Sequence, residues 1–396
     1  MVDVREITEC RSCGSKVLVP VLDLGTISVS DFVLPGESCD EAPLELVQCL
    51  DCSLLQLRHT VDRDRIYKNT YWYRSGTNES MRRALANVVS DVMNHANTVS
   101  GDTVVDLGCN DGTMLQMFPD WLEKIGIDPS PVIEEAPEGM QLIQDYFPTD
   151  YAVPRAKIIC SIAQFYNVDN IEAYMKGIDA LLAPDGVWCV QMAYLPTTLA
   201  TLNVGDFCHE HVTFWTVAAF EHLIRRYGMH IAALSFNDVN GGSFRVIVKR
   251  GKGYPVAGDS VTPEEMAQFA NEVKVLKTQT LDFLAKCRDE GKLVLGLGAS
   301  TKNNVVLNYY GIGPELIPCF TERQLNKLGR LTSTGIPIIS EEAARYLNPA
   351  YFFLGPWHFL DSLCERERRY LQGGGKFIVP FPKLRIVSYQ DILCAA

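Results

Sequence analysis

The chain has 396 residues, 47% of them hydrophobic and 21% charged, the composition of a soluble globular protein long enough for two or three cores. A formal net charge of −12 argues against a general nucleic-acid binder, because neutralising phosphates takes clustered Lys and Arg, but it leaves room for a local basic pocket. No apolar run approaches bilayer-spanning length, the N-terminus MVDVREITEC has no apolar signal core, and thirteen cysteines in such a chain suggest reduced thiols in a cytoplasmic protein, some of them metal ligands.

Residues 1–62 read as a small, turn-rich, metal-stapled module. Cys10-x-x-Cys13 and Cys49-x-x-Cys52 are two pairs of identical internal spacing, 35 residues apart, in turn-like contexts. Four thiolates so arranged suit tetrahedral zinc; the alternatives are buried free thiols or a disulfide. Four cysteines leave no open coordination position, so such a zinc is structural.

Residues 63–255 alternate strands, expected at 103–107, 124–127, 157–160 and 186–192, with helices, expected at 80–95, 171–182 and 217–227. That alternation implies an α/β domain with a parallel sheet covered on both faces. Within it, VVDLGCNDGT runs from a strand into a helix. Gly108 and Gly112 allow tight turning and close approach to a ligand. Asp128, at the end of the next strand, can accept hydrogen bonds from ribose hydroxyls. Asn110 breaks the dinucleotide pattern G-x-G-x-x-G, and the loop, beginning at Asp106, instead suits D-x-G-x-x-x-G of class I methyltransferases that use S-adenosylmethionine (SAM). Asp145 and Tyr146 then fall where adenine contacts are usual in that fold. An ordinary strand-to-helix turn is the alternative.

Further on, the segment GDFCHEHVTFW places Cys208, His209, Glu210 and His211 in consecutive positions. If extended, His209 and His211 face one way and Glu210 the other. This permits a His-x-His metal pair, a histidine base with Glu210 orienting or binding, or a set of satisfied structural polar groups. Residues 256–396 form a third region. A long helix is expected at 263–288 and a buried strand at 293–297, followed by a second strand–helix alternation.

Taken together and in order, the two CxxC pairs, YWYRSGTNESM, VVDLGCNDGT, CHEHVTFW, NDVNGGSFRV and GLGASTKNN resemble the sugar C-methyltransferases. The resemblance covers nearly the whole chain. It implies an N-terminal zinc module, a SAM-binding class I methyltransferase domain and a C-terminal Rossmann-like substrate-binding domain. The implied reaction adds a methyl to C3 of a nucleotide-linked 4-keto-deoxysugar, usually a dTDP sugar, through a base-generated enolate. The resemblance makes His211 the base, has Glu210 position the sugar or that base, and puts Tyr73 beside the reacting centre. Asn240, Gly242, Ser243 and Arg245 match a stretch lining the substrate cleft. Ser300, Thr301 and Lys302 follow a strand, where a helix N-terminus can hold a diphosphate. Arg323, Lys327 and Arg330 add nearby positive charge. Two positions depart from part of the family: Cys208 stands where some members carry tyrosine, and Asn167 lies near a position where some carry histidine, while another branch shares the SIAxFY and CHEH pattern.

Two other readings compete. Gly296-Leu297-Gly298 could begin a nicotinamide dinucleotide loop, although Thr301 replaces its third glycine. The chain could also hold a sugar nucleotide without catalysing its reaction. The sequence carries no signature of oligomeric state.

Overall fold

All five residues of the Thr103–Leu107 strand are buried, as expected of a strand covered on both faces. In the computed structural model, which describes residues 3–29, 31–68, 71–256 and 258–395, this strand is central to a seven-stranded sheet. Glu123–Ile127 and Gln141–Ile143 continue the sheet on one side, and Ala156–Ile162 and Leu182–Ala193 on the other, all parallel. Ser243–Arg250 then inserts antiparallel between Leu182–Ala193 and the edge strand Met229–Asn237. That order, with an antiparallel seventh strand between the fifth and sixth, is the class I SAM methyltransferase topology. The helices form over Glu79–His95, Ile171–Leu181 and Val217–Arg225, within two residues of expectation. The last two carry side-chain N-caps, Asn170 and Thr216.

The third region begins with the Pro263–Asp289 helix, whose start is fixed by a Thr262–Glu265 capping box and Pro263 in the first turn. It leads to a six-stranded sheet ordered Ile338–Ser340, Phe320–Glu322, Val294–Leu297, Tyr351–Leu354, Lys376–Val379 and Arg385–Val387. Five strands are parallel and the last is antiparallel. Gly296 lies in Val294–Leu297, with the Phe320 ring where its side chain would be. This glycine serves strand packing, which removes one support for a dinucleotide loop.

The cysteine module forms a four-stranded antiparallel sheet, and its edge strand comes from far along the chain. Thr213–Phe214 pairs with Leu55–Leu57, which pairs with Glu41–Cys49 and then Leu18–Ser28. One apolar cluster joins this sheet to the C-terminal region, with Leu22, Leu44 and Leu46 packed among Phe207, Met266, Phe269, Val305 and Phe320. Among the described residues, no helix is long and apolar enough to cross a membrane.

Candidate functional site: two cavities that meet

The Cys10 and Cys49 pairs fold as matching turns. The Gly14 N–H donates to the Cys10 carbonyl and the Ser53 N–H to the Cys49 carbonyl, each at 2.9 Å. The four sulfurs lie within 4.8 Å of one another, the only such group of three or more ligand-type side chains among the described residues. Cys10 and Cys52 sulfurs are 3.6 Å apart, and Cys13 and Cys49 sulfurs 3.5 Å. Disulfide sulfurs sit at about 2.05 Å, whereas thiolates around tetrahedral zinc sit about 3.8 Å apart. The donor set therefore fits a closed, structural zinc site.

A cavity of about 430 Å³ opens at the C-terminal ends of Thr103–Leu107 and Ala156–Ile162. The chain leaves these central strands in opposite directions, the place where doubly wound sheets bind ligands. Asp106, Gly108, Asn110, Asp128, Asp145 and Tyr146 all line it. Gly108 has φ 78°, and a Cβ there would come within 2.6 Å of Gln164 Cγ. Asp128 accepts the Asn110 N–H at 2.9 Å and, on its other oxygen, the Ser130 N–H and hydroxyl at 2.8 and 2.6 Å. Burial pushes both Asp128 and Asp106 upward, and Asp128's charge helps carry Asp106 to about 8. A cationic ligand would relieve that penalty. The Arg63 guanidinium lies 3.8 Å over the Tyr146 ring, and burial together with the neighbouring Asp64 carboxylate pushes the Tyr146 phenol upward.

Asn110 also secures a strap across the loop. Its side-chain oxygen accepts the Ser75 N–H at 2.9 Å, and its Nδ2 donates to the Tyr73 carbonyl at 3.2 Å. The Gly76 N–H donates to Asp111 at 2.8 Å. Buried acids, a close-approach glycine and a volume in the usual ligand range fit SAM. Gly112 does not reach the wall; it precedes the short Thr113–Gln116 helix, with Ala136 and Met140 packed where a side chain would go.

A second cavity, about 490 Å³, opens at the corresponding point of the C-terminal sheet, beyond Val294–Leu297 and Tyr351–Leu354. Residues 297–303 and 355–359 line it, with Arg323, Lys327 and Phe381; Arg330 does not. Ser300 lies on this wall and caps the Thr301–Tyr310 helix, its hydroxyl accepting the Asn303 N–H at 3.2 Å. The two cavities share Tyr71, Tyr73, Met81, Glu210, Asn240, Thr301 and Lys302 as walls.

The segment over residues 203–212 runs along this junction, and Gly205 lets it approach the Thr301–Tyr310 helix. A Cβ at Gly205 would lie 2.8 Å from the Lys302 carbonyl oxygen. The segment is a turn, not a strand: the Cys208 N–H donates to the Asp206 carbonyl at 3.2 Å and the His211 N–H to the Cys208 carbonyl at 3.1 Å. His209 and His211 consequently diverge, which overturns the His-x-His metal pair. His209 Nε2 meets the Ala42 carbonyl of the zinc module at 3.2 Å. His211 lines the SAM-type cavity, with Nδ1 3.0 Å from the Asp206 carbonyl. A carbonyl can only accept, so Nδ1 carries the hydrogen and Nε2 keeps its lone pair. Burial, reinforced by the charge of Lys302, lowers His211 to about 4. Burial raises Glu210 to about 7 against the opposing charge of Lys302.

Asp206 is the residue that sequence reasoning missed. Its carboxylate accepts Lys302 Nζ at 2.6 Å and the Thr198 hydroxyl at 2.9 Å, while its carbonyl holds His211. A carboxylate inside GDFCHEH was the one visible signal. Cys208 and Asn167, the two departures, both line the first cavity, and Asn167 Oδ1 is buried without a partner. Ser243 lines it too, with its hydroxyl donating to the Val239 carbonyl at 2.9 Å. Arg245 and Gly242 reach neither cavity. Arg245 points behind the sheet, donating to Gln191 at 2.9 Å, Asn87 at 3.0 Å and Asp91 at 3.1 Å. It steadies Gln191, which does face the cavity. Gly242 packs against Thr197.

The sheet order, the glycine turn and the acid-lined cavity define a class I SAM-dependent methyltransferase that carries a structural zinc module. Family models match it in chain order: a zinc binding domain over residues 10–67, a methyltransferase domain over 77–234 and a C-methyltransferase C-terminal domain over 238–382. The chain is also 28% identical to the C-methyltransferase NovU of Streptomyces niveus over 426 aligned positions, covering 98% of this chain and 99% of that one. In all three parts it is similar to this zinc-containing C-methyltransferase family. Among solved structures, a SAM-dependent methyltransferase from Clostridium acetobutylicum ATCC 824 is 13% identical, with a TM-score of 0.35 over 43% of this chain and 92% of that one. The plantazolicin methyltransferase BpumL is 14% identical, with a TM-score of 0.35 over 43% and 84%. Neither of these two likenesses bears on the assignment.

Proposed function

We propose that the enzyme methylates C3 of a nucleotide-linked 4-keto-deoxysugar, dTDP being the favoured carrier. The shared wall of the two cavities carries this reading: a ligand anchored at the C-terminal switch point would reach Glu210 and the SAM-type cavity with its far end. Trp357, Phe359 and Phe381 offer rings for a nucleobase, and the N–H groups at the start of Thr301–Tyr310 suit a diphosphate. A ketone at C4 acidifies the C3–H bond. His211, neutral and held through Nδ1, takes that proton on Nε2, and the bond's electron pair moves into a C3–C4 double bond as the carbonyl becomes an enolate. Glu210 orients the sugar, and its near-neutral pKa lets it pass the proton onward. Tyr73 closes the strap side of the junction. Bound SAM supplies the electrophilic methyl group.

The test is mass spectrometry of dTDP-4-keto-6-deoxyglucose incubated with enzyme and SAM in deuterated water, with NMR to locate new groups. A methyl at C3 is expected. A methyl on oxygen or on another carbon, or no change in any nucleotide-linked ketosugar, would overturn the proposal.

A further inference from the structure

We propose that Lys302 is a catalytic residue, the cation that stabilises the enolate oxygen, and that Asp206 is its positioning residue. The inference rests on the proposed ketosugar reaction. Developing oxyanions need donors or positive charge fixed in advance. With Cys208 and Asn167 at the departing positions, no phenol stands at 208 and no imidazole at 167; the phenols of Tyr71 and Tyr73, which line both cavities, are pushed upward by burial and bring no charge. Burial pushes the Cys208 thiol far above the neutral range, so it supplies no charge.

Lys302 meets the requirement from another domain. It is the second residue of the Thr301–Tyr310 helix, yet its ammonium reaches the methyltransferase domain and bonds Asp206. The Lys302 side chain keeps 28% of its surface open, whereas that of Asp206 keeps 4%; the cation faces the cleft and its counter-ion does not. It lines both cavities. Its charge acts on Glu210 and His211 as well as on His358 across the second cavity. Asp206 organises both halves of the proton transfer. Its carbonyl fixes the tautomer of His211, and its carboxylate fixes the ammonium. In the step, the C3–H pair becomes the C3–C4 double bond, the carbonyl π pair moves onto oxygen, and the proton goes to His211. Lys302 donates a hydrogen bond to that oxygen and keeps its own protons. The diphosphate is left to the helix N-terminus, since this lysine is already committed to Asp206.

The test measures deuterium exchange at C3 of dTDP-4-keto-6-deoxyglucose at saturation, with its Kd by calorimetry, in wild type, Lys302→Met and Asp206→Asn. Lys302→Met should slow saturated exchange about 100-fold or more while changing Kd no more than about threefold. The reverse pattern, weakened binding with wild-type exchange at saturation, would make Lys302 a phosphate anchor and overturn the proposal. Asp206→Asn supplies a second readout. Burial disfavours the ammonium, and Asp206, with Glu210 adding to it, more than offsets this. Its loss should therefore move the alkaline fall of exchange to lower pH; an unmoved limb overturns the positioning role. A wild-type enzyme that neither exchanges nor methylates any nucleotide-linked ketosugar sinks the functional reading and this proposal together. An active wild type matched by Lys302→Met sinks this proposal alone.

Discussion

Gly108→Ala and Gly101→Ala form a matched pair of perturbations. Both glycines have positive φ, 78° and 88°, so each alanine pays about 1 kcal/mol or slightly more for a left-handed backbone. The surroundings differ. A Cβ at Gly101 meets nothing within 4 Å, whereas one at Gly108 lies 2.6 Å from Gln164 Cγ and 3.0 Å from its Cβ. Restoring ordinary carbon contact requires Gln164 to retreat by about 1 Å. Gln164 accepts the Tyr174 hydroxyl at 2.8 Å, a bond whose loss costs about 1 kcal/mol. Gly108→Ala should therefore destabilise by about 2 to 3 kcal/mol and Gly101→Ala by about 1. Because Gln164 also lines the SAM-type cavity, its displacement should weaken SAM binding about tenfold or more, equivalent to about 1.4 kcal/mol, while Gly101→Ala leaves affinity unchanged. Calorimetric titration with SAM and chemical denaturation read both quantities. Wild-type SAM affinity in Gly108→Ala, or equal loss of affinity in both variants, would refute the reasoning.

Three further outcomes follow from the site. Cys10→Ser should lose most of its bound zinc and melt several degrees lower, since metal binding and folding of the module are coupled; unchanged metal content and melting would refute the structural site. His211→Ala should bind SAM as wild type does while turnover falls about 100-fold or more, so wild-type rates would remove it as the base. His209, buried against Ala42, is held at about 4 by burial, below its ordinary 6.5. Its contribution to stability is full above pH 6.5; below that, the unfolded chain gains a proton that the folded chain refuses until about pH 4. By pH 5 this removes about 2 kcal/mol, so His209→Gln should flatten the fall in thermal midpoint between neutral pH and pH 5. Parallel slopes in the two proteins would count against it.

The regular elements were legible because their signals are local. Thr262, Pro263 and Glu265 announce a helix start by themselves, and Val104–Val105 before Asp106 reads as buried strand. The zinc cysteines and the cofactor loop were legible for the same reason, being short runs of fixed spacing. Positions whose partners are distant were not. Alternation along a strand does not say which face looks into a cavity, and Arg245 is claimed by Asp91, 154 residues earlier. The turn at 208–211 contains no Gly or Pro, so an extended reading put His209 and His211 on one face. Lys302 could be placed at a helix N-terminus, but its partner lies 96 residues away, and only the packing of domains shows the ammonium bonded to Asp206.

The two-residue strand Thr213–Phe214 limits how this protein can be taken apart. It follows the turn at 208–211 closely and completes the zinc-stapled sheet. Cutting the chain between the cysteine module and the methyltransferase fold would expose a bare strand edge on one fragment, a site for unwanted pairing. It would also unmoor His211 on the other. Exchange of modules between relatives meets the same obstacle at the far end, where Lys302 and Asp206 must arrive as a matched pair. Recombination that respects the apparent domain borders would therefore separate these contacts, and viable hybrids should be those whose crossovers keep residues 203–214 with both of their distant partners.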